Sequence, residues 1–384
     1  MTSLPGLEPH HEEFRTRVQE FADETVRPVV EEHEREGRFP VDLVDDLVDA
    51  GLYGITIPEE YGGEGLDNRS FQIAVEELSR VWKIPAGIVS VTCSLVGTSL
   101  AKFGADWQRE EWLREIVETG QVTALSLTEP EAGSDAAALE TSARRDGDEY
   151  VIDGHKVWTS HGEVADFLIV VARTDNDGEH GDVSLIGIPN PQEVDGVEFV
   201  RDIPCMEGDA VVENEIKYEG ARVPVENVVG EEGRGFKYIM SALDIGRIGA
   251  ASQGVGIAQG AMDESIAFAD EREQFGQPIR EFQGVSFKLA DMASSVQAAR
   301  LLTIWAAQNL DAGHRVSQQA AMAKTFATDV AMDVTTEAVQ IHGSRGYSKD
   351  YPVERYMREA KGTQIYEGTN EVNRQVIAQH LYDD

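Results

Sequence analysis

The 384-residue sequence predicts an α+β multidomain fold: an N-terminal helical domain (residues 1–120), a middle antiparallel β domain (121–233) and a C-terminal four-helix bundle (234–384). Three observations support this order. Apolar residues recur at helical spacing in the first third, short β-rich runs between turn residues replace them in the middle, and long amphipathic stripes return in the last third. The length is enough for two or three hydrophobic cores.

The N-terminal zone is predicted to be helical from its apolar spacing. The stretch "HEEFRTRVQEFADETVRPVVEEHE" places four apolar residues on roughly one face, namely Phe14, Val18, Phe21 and Val26. Pro28 is expected to interrupt this helix, because proline lacks the backbone N–H. A second helix, in "VDLVDDLVDAGLYG", is expected to end at Gly51 and Gly54.

The middle zone has the spacing of strands. In "YVIDGHKVW" two β-prone runs flank Asp153-Gly154, a dipeptide that favours a tight hairpin turn. The runs "FLIVVA", "VSLIGI" and "VEFV" follow as short strands bounded by Gly, Asn, Asp and Pro. These features predict an all-β domain.

The C-terminal zone contains four helical segments. A long stripe at steps of three and four runs from Ile248 to Ala269, and a second runs from Leu289 to Thr303. "KTFATDVAMDVTTEAVQIHG" forms the third segment and "NEVNRQVIAQHLY" the short fourth. The glycines of "GVGIAQG" lie inside the first stripe with no preceding strand, so we interpret them as close helix packing and not as a dinucleotide-binding loop.

Charge is the most unusual property of the composition. The formal net charge is −37, from 70 acidic and 33 basic residues. The acidic residues are dispersed along the chain, which favours a solvated acidic shell on a protein from a salt-rich cytoplasm over a binding patch for a basic partner. Because phosphate neutralisation needs clustered Lys and Arg, nucleic-acid binding is not expected.

Other compositional features exclude several classes of protein. Cys93 and Cys205 offer neither a disulfide framework nor metal-ligand spacing. The histidines are scattered and are never paired at ligand spacing, and those of "EPHHEEF" are expected to be solvated. The start lacks the basic and apolar regions of a signal peptide. No apolar run is expected to reach the ~20 residues that span a bilayer. A reduced, cytoplasmic setting without metal or membrane is predicted.

Two stretches of the β zone are candidate ligand contacts. "SLTEPEAGSD" (residues 126–135) brings the hydroxyls of Thr128 and Ser134 and the backbone of Gly133 into a tight loop that suits an oxygen-rich ligand edge. In "KVWTS" (156–160), Trp158 and Ser160 could flank a planar ring and hydrogen-bond its edge. On its own the loop could be an ordinary turn and Trp158 a core residue.

Two further candidates lie in the helical zone. In "EREQFGQPI" (271–279), Arg272 and Phe275 pair a guanidinium with an aromatic ring, which suits a diphosphate or nucleotide, although a helix end with an exposed arginine is an equally simple reading. "QIHGSRGY" (340–347) is a glycine-rich turn that could admit a ligand close to the backbone.

In this order and spacing, the stretches resemble the acyl-CoA dehydrogenase family of FAD-dependent flavoproteins. The similarity covers nearly the whole chain. It is greatest to the short-chain, butyryl-type branch, through "LDIGRIGAASQGVGIAQGAMDESIAFADEREQFGQPI" and "FKLADM".

The resemblance implies roles for residues of the β zone. The loop with Thr128 and Ser134 is similar to the segment that meets the flavin pyrimidine edge and borders the CoA thioester. Trp158 and Ser160 match the pair that covers the isoalloxazine and hydrogen-bonds near its N5. Many relatives have threonine at the position of Ser160, and either hydroxyl could serve.

The resemblance also implies roles in the helical zone and an oligomer. Four residues match the part that reaches FAD bound mainly to a neighbouring subunit, which implies a dimer or a dimer of dimers: Arg272, Phe275, Gln340 and Gly343. Many relatives carry glycine where Ser344 stands, and the serine side chain leaves less room for close backbone approach there. Thr369 and Glu371 match positions near the FAD diphosphate and adenosine. Asp244 and Arg247 resemble residues lining the acyl-CoA cleft, and Tyr366 is left open between pocket wall and simple packing.

The catalytic glutamate of this family occupies one of two places. In most branches it follows the tyrosine of a "YEG" stretch, and in the isovaleryl-type branch it lies on the long helix before the arginine of "LD..R". The helix position is Gly246 in this chain, so the resemblance assigns the base to Glu367 of "QIYEGTNEV".

The implied reaction is α,β-dehydrogenation of a short- to medium-chain acyl-CoA to the trans-2-enoyl-CoA, with FAD as cofactor. Glu367 takes the α-proton and flavin N5 the β-hydride, and an electron-transfer flavoprotein is the expected electron acceptor. A branched or dicarboxylic acyl substrate is the first alternative. A non-enzymatic flavoprotein of the same fold and an inactive CoA-binding scaffold are the others.

Overall fold

The computed structural model describes residues 4–174 and 182–382. The chain divides into two compact units, one formed by residues 1–30, 67–87 and 247–384, the other by 31–66 and 88–246. Helices precede residue 120, strands fill the middle and helices follow from residue 235, as predicted from the apolar spacing. The helices are α1 (Pro9–Phe21), α2 (Arg27–Glu36), α3 (Asp42–Asp49), α4 (Asn68–Val81), α5 (Lys83–Ser90), α6 (Gly97–Phe103), α7 (Asp106–Gln108), α8 (Arg114–Thr119), α9 (Gly235–Glu271), α10 (Gln283–Asp311), α11 (Ser317–His342), α12 (Val353–Thr363) and α13 (Asn370–His380).

Pro28 does not end the first helical segment. A π-helical turn at Ala22–Val26 follows α1, and α2 continues directly with Pro28 as its second residue. A proline is tolerated in the first turn of a helix, where its missing N–H costs least, and the wider π turn accommodates the change of register. The helix predicted before Gly51 is confirmed as α3, and Gly51 adopts the left-handed conformation with φ 67°.

The strands form one seven-stranded sheet and a separate two-stranded ribbon. They are β1 (Thr123–Ser126), β2 (Ser142–Asp146), β3 (Glu149–Ser160), β4 (Phe167–Arg173), β5 (Val183–Pro189), β6 (Val197–Asp202), β7 (Glu213–Pro224), β8 (Glu273–Gln274) and β9 (Gln277–Pro278). The main sheet runs in the order β1-β4-β2-β3-β7-β6, with β5 paired to β4. It is mixed and not purely antiparallel, because β1 pairs β4 in parallel. The whole β2–β3 hairpin lies between those two strands in sequence, which gives the chain enough length to return in the same direction.

The hairpin predicted at Asp153-Gly154 is wrong. β3 runs unbroken through both residues, and the turn lies earlier, between Asp146 and Glu149, where Gly147 has φ 68°. Gly154 is required by packing: a Cβ there would lie 2.4 Å from the Thr141 hydroxyl oxygen. Consequently "KVWTS" lies on the same strand as "YVI" and not on a returning one.

Glycines in α9 let three helices of the first unit approach each other. A Cβ on Gly256 would lie 2.1 Å from the Glu76 carbonyl oxygen, and one on Gly260 would lie 2.3 Å from the Arg80 carbonyl oxygen, both on α4. Gly254 faces α11 in the same way, with Ala327 as its neighbour. The interpretation of "GVGIAQG" as a helix-packing surface is confirmed.

One stretch is more apolar than the sequence analysis expected. The helical stretch Lys83–Phe103 has 21 residues and a mean hydropathy of 1.6, enough to cross a bilayer by length and composition alone. The expectation that no stretch reaches this length was therefore wrong. Since 83% of its most apolar window is buried inside the fold, it also has the character of a core helix.

Candidate functional site

Glu367 lies on a tight turn between α12 and α13. Glu367 and Gly368 both adopt left-handed backbone conformations, with φ of 56° and 81°. Glycine adopts this conformation at little cost, whereas a glutamate does so only when its surroundings enforce it. A strained acidic residue points to a functional role for its side chain.

Hydrogen bonds to successive carbonyls hold this turn. The Asn373 side-chain amide donates to the carbonyl oxygens of Gly368 at 2.7 Å and Thr369 at 3.1 Å. The Lys324 ammonium also donates to the Gly368 oxygen, at 2.8 Å, and Arg247 Nε reaches the Glu367 oxygen at 3.4 Å. Asn373 and Lys324 are fully buried. The backbone beneath Glu367 is thus fixed by side chains from α9, α11 and α13.

The Glu367 carboxyl itself is poorly satisfied. Its Oε2 atom is buried and has no hydrogen-bond partner among the described residues. The backbone N–H of Glu367 also has no hydrogen-bond acceptor among the described residues. Burial raises the pKa of Glu367 to about 7, although the positive charges of Arg247 and Lys324 act in the opposite direction. A carboxyl with this proton affinity is suited to general-base chemistry near neutral pH.

Tyr366 is held by α9. Its hydroxyl donates to Gln253 Oε1 at 2.5 Å, and the Lys83 ammonium lies 5.0 Å from the centre of its ring. Gln253 and Lys83 are both largely buried. The structure therefore gives the ring fixed polar neighbours, so it is oriented by more than simple packing.

A second group of predicted residues lies in the β domain. The loop after β1 carries Thr128 and is held by a buried ion pair, in which Lys156 Nζ lies 2.8 Å from Glu129 Oε1 and donates to the Leu127 carbonyl oxygen at 2.7 Å. The Glu129 carboxylate also accepts the backbone N–H groups of residues 140 and 141. Burial lowers the pKa of Lys156 to about 8. Sequence reasoning missed this pair, because neither residue is distinctive by spacing.

Trp158 is turned outward by an irregularity of β3. The register with β7 shifts between Lys156 and Thr159, and Trp158 has φ 59°. The Val157 N–H leaves the ladder and donates to the Thr128 carbonyl oxygen at 2.9 Å, which joins the strand to the loop. The indole is 54% exposed, so the alternative that Trp158 is a core residue is wrong. Ser160 follows on the strand and donates to Glu213 Oε1 at 2.7 Å, while Ser134 lies exposed in the loop.

A third group lies at the ends of α9 and α11. Phe275 occupies the tip of the β8–β9 ribbon with φ 56° and is 95% exposed, directly beside Gly276. The two helix ends meet through stacked Phe268 and His342 rings, 4.2 Å apart. This contact places the predicted residues at one end of the bundle: Arg272, Phe275, Gln340 and Gly343.

This third group is separate from the Glu367 turn. Lys324, beneath Glu367, lies about 24 Å along α11 from Gln340 at 1.5 Å per residue. Thr369 stays with Glu367: it caps α13 and accepts the Val372 N–H at 3.3 Å. Glu371 projects into solvent, with a side chain 81% exposed. Asp244 lies one helical turn before Arg247 on α9.

One histidine expectation is wrong. His11 is fully buried: its Nδ1 accepts the Glu8 N–H at 3.0 Å and its Nε2 contacts Asp67 Oδ2 at 2.9 Å. His10, His11 and Asp67 lie close enough to hold a metal. Because both ring nitrogens of His11 already have partners that cap α1 and join it to the start of α4, the cluster has a structural explanation.

Three family models match almost the whole chain. The N-terminal, middle and C-terminal domains of acyl-CoA dehydrogenase match residues 8–119, 124–216 and 233–382. The chain belongs to the acyl-CoA dehydrogenase family. The predicted three-domain architecture of helices, β domain and helices is confirmed with it, as is the predicted membership itself.

Individual relatives of this chain include short-chain enzymes and proteins with other names. The butyryl-CoA dehydrogenase of Megasphaera elsdenii is 39% identical, with a TM-score of 0.93 over 99% of this chain and 100% of that one. A chain from a structure described as the electron transferring flavoprotein of Acidaminococcus fermentans is 43% identical, with a TM-score of 0.96 and full coverage of both chains. A 3-(aryl)acrylate reductase of Clostridium sporogenes is 39% identical over 97% of this chain and 98% of its own length.

Family membership makes this acyl-CoA dehydrogenase an oxidoreductase with FAD as cofactor. The β domain has residues that fit the flavin. The outward indole of Trp158 offers a flat surface, strained backbone holds it there, and the Thr128 loop beside it is anchored by a buried ion pair. A planar ring with a polar edge is the ligand that such a surface suits.

Proposed function

We propose that the enzyme removes hydrogen from the α and β carbons of a short- to medium-chain acyl-CoA, forming the trans-2-enoyl-CoA. The observation that supports this most is the Glu367 carboxyl, which is held in a strained turn with a buried, unpartnered oxygen. A partly dry carboxylate is a stronger base than a solvated one, as removal of a weakly acidic α-proton requires.

The residues of this chain would divide the work as follows. Glu367 accepts the α-proton at its carboxylate. Its own backbone N–H, which lacks an acceptor among the described residues, is available to the thioester oxygen, where negative charge develops as the proton leaves. Bound FAD supplies the acceptor for the β-hydride at flavin N5. Proton and hydride together account for the two hydrogens lost by the substrate.

We assign the flavin contacts to the residues that the family resemblance marks. Trp158 would cover the ring, Ser160 and Thr128 would meet its polar edge, and Ser134 would border the thioester. Asp244, Arg247 and Tyr366 are proposed to line the acyl-CoA side. Thr369 and Glu371 are proposed to lie near the diphosphate and adenosine. Arg247 also donates to the Glu367 carbonyl oxygen, so we propose that it helps to hold the backbone of the base.

The acyl group is open to a direct test. A panel of butyryl-, octanoyl-, isovaleryl-, glutaryl- and 3-phenylpropionyl-CoA is added to the FAD-loaded protein in molar KCl, and bleaching of the flavin absorbance is followed. We expect butyryl-CoA to bleach fastest. Bleaching by no saturated acyl-CoA would contradict the proposal.

Two members of the panel address specific alternatives. Glutaryl-CoA tests a dicarboxylic substrate, whose terminal carboxylate needs a buried cation in the acyl pocket. Lys83, which is buried beside Tyr366, is proposed as that cation. 3-Phenylpropionyl-CoA tests an aryl substrate, suggested by the relative that reduces 3-(aryl)acrylates. Fastest bleaching by either compound would replace the short-chain assignment.

We further propose a homo-oligomer, a tetramer built as a dimer of dimers, in a salt-rich cytoplasm. The exposed Phe275 tip, next to Arg272, suits contact with FAD of a neighbouring subunit, as the family resemblance suggests for Gln340 and Gly343 as well. An apolar patch on α10 and α11 also favours association, with Leu301, Trp305 and Phe326 at 36%, 40% and 42% exposure. The charge of −37 favours function at high salt.

Light scattering and activity measured against KCl concentration test both statements. The expected mass is four times the 42.2 kDa chain, and the expected activity is lost as salt falls below about 0.1 M, where self-repulsion is weakly screened. A monomer, or full activity in millimolar salt, would contradict the respective statement. An electron-transfer flavoprotein is proposed as the electron acceptor, supported by the similarity to a chain from the Acidaminococcus structure.

A further inference from the structure

Lys324 is an unusual residue for the interior of a helical bundle. It lies on α11, is fully buried, and its ammonium donates to two neutral oxygens, the Gly368 carbonyl and Asn370 Oδ1, each at 2.8 Å. In the described part of the chain no carboxylate lies within salt-bridge distance of it. Burying a charge without a paired counter-charge is costly, and an apolar side chain of similar size would avoid that cost. Lys324 therefore calls for a functional explanation.

The bonds of Lys324 are concentrated on the segment that carries Glu367. Gly368 is the next residue, and Asn370 begins α13 three residues on. Asn370 is fixed in turn by donating from its side chain to Thr328 Oγ1 at 3.0 Å and to Asp329 Oδ1 at 2.8 Å. Lys324 thus links α11 to Gly368, which together with Glu367 has the left-handed backbone conformation.

We propose that Lys324 is a positioning residue for the base: it holds the Glu367 turn in its left-handed conformation, and its charge favours the ionised carboxylate. The inference rests on the proposed function of Glu367. The charge explains why an ammonium occupies this place, because a neutral donor could satisfy the same two oxygens. Lys324 acts through the turn and its field and does not need to touch substrate.

The electrostatic surroundings agree with this role. Burial lowers the pKa of Lys324 to about 7, and Glu367 is the foremost group that raises it again. Arg247 on α9 opposes that effect, while Asp329 on α11 and Glu371 on α13 reinforce it. Lys83 approaches from α5, over the Tyr366 ring. Loss of the Lys324 charge should therefore raise the pKa of Glu367 above its present value of about 7.

The test compares three variants of the full-length, FAD-loaded protein. Lys324→Met removes the charge and the bonds, Asn373→Ala removes turn bonds but keeps the charge, and Thr335→Ala alters a buried residue of α11 whose hydroxyl bonds only within the helix. The first readout is the pH dependence of flavin reduction by limiting butyryl-CoA. The second is hydrogen exchange of the backbone amides of residues 366–370, which needs no substrate.

We expect Lys324→Met to move the midpoint of the pH profile upward by roughly one unit, so that reduction is about tenfold slower below neutral pH. Amide exchange in the turn should be at least several-fold faster. Asn373→Ala should accelerate exchange and lower the rate without moving the midpoint, and Thr335→Ala should change neither. If Lys324→Met does not fold, Lys324→Gln replaces it and is measured in the same two ways. Lys324→Arg, which keeps the positive charge, should have the wild-type midpoint.

If the midpoint of the pH profile does not move in Lys324→Met, the electrostatic role of Lys324 is overturned. If amide exchange of residues 366–370 is unchanged, its role in holding the Glu367 turn is overturned. Failure of the proposed function gives a different result. In that case Glu367→Gln would keep its activity, while the exchange rates of the turn would still report whether Lys324 holds it.

Discussion

Replacing Glu367 by glutamine is expected to abolish flavin reduction by acyl-CoA while leaving FAD and acyl-CoA binding intact. Glutamine has nearly the same shape but cannot accept the α-proton. General bases typically contribute 10²- to 10⁴-fold, so a loss of at least that size is expected in the single-turnover rate. The measurement is stopped-flow bleaching of the flavin, with binding followed separately through the spectral shift caused by the ligand.

A matched control makes the result specific. Glu337→Gln makes the same chemical change on α11, at an exposed carboxylate paired with Lys288, and should leave the rate unchanged. The wild-type rate should rise with pH through about 7, because only the ionised carboxylate accepts a proton and its pKa is raised to about that value. Near-normal turnover by Glu367→Gln would sink the assignment of the base.

The same carboxyl should lower the stability of the enzyme at alkaline pH. Its folded pKa of about 7 lies above the ordinary glutamate value of 4.5, so its contribution is favourable at low pH and is lost as pH rises from about 4.5 through 7. Glu367→Gln is therefore expected to be more stable than wild type at pH 8, by up to about 3 kcal/mol at roughly 1.4 kcal/mol per pKa unit. Function at this site is thus maintained at a cost in folding free energy.

Glu367 could be proposed as the base from sequence because the family resemblance marks it by local order: a tyrosine before it, a glycine after it, and Gly246 at the alternative position. Lys324 could not. In "AAMAKTFATD" it resembles any lysine of a surface helix, whereas in the fold it is buried and its ammonium contacts Gly368 and Asn370, more than 40 residues later. Secondary-structure propensity depends on neighbours in sequence. The positive charges that act on the Glu367 carboxyl belong to Lys324 and Arg247, which are 43 and 120 positions away.

The errors have the same origin. Asp153-Gly154 has the composition of a turn, yet Gly154 is needed for contact with Thr141, which lies outside that local stretch. The parallel pairing of β1 with β4 depends on a non-local choice of partner. The exposure of Trp158 depends on a register shift against β7, about 60 residues later. Helix and strand identity followed from periodicity, while the strand pairing, the position of the turn and the exposure of Trp158 depended on contacts outside the local stretch.

Removing the carboxylate of Glu76 is expected to produce the largest loss of stability. This side chain is 1% exposed on α4 and accepts from Arg15 Nη1 of α1 at 3.0 Å and from Arg300 Nε of α10 at 2.7 Å. Gln72 donates to its other oxygen at 2.6 Å. Glu76→Gln would leave the Arg300 guanidinium facing an uncharged amide and would leave Arg15 with Glu77 as its remaining carboxylate partner. Breaking a buried pair in this way typically costs about 3–5 kcal/mol. Urea unfolding in molar KCl measures the change.

The pH dependence of that stability separates a buried ion network from surface charge. Burial alone would raise the pKa of Glu76, but Arg300 and Arg15 outweigh it and lower the pKa to about 2. Since the folded pKa is below the ordinary glutamate value of 4.5, the stabilisation is present above about pH 4.5 and is lost as pH falls toward 2. In Glu76→Gln the free energy of unfolding should depend less on pH between about 4.5 and 2, whereas Glu337→Gln should leave this pH dependence unchanged. The loss should persist in molar KCl, because salt screens buried pairs far less than exposed ones. A loss that disappears with added salt would show that Glu76 contributes through long-range charge and not through its contacts with α1 and α10.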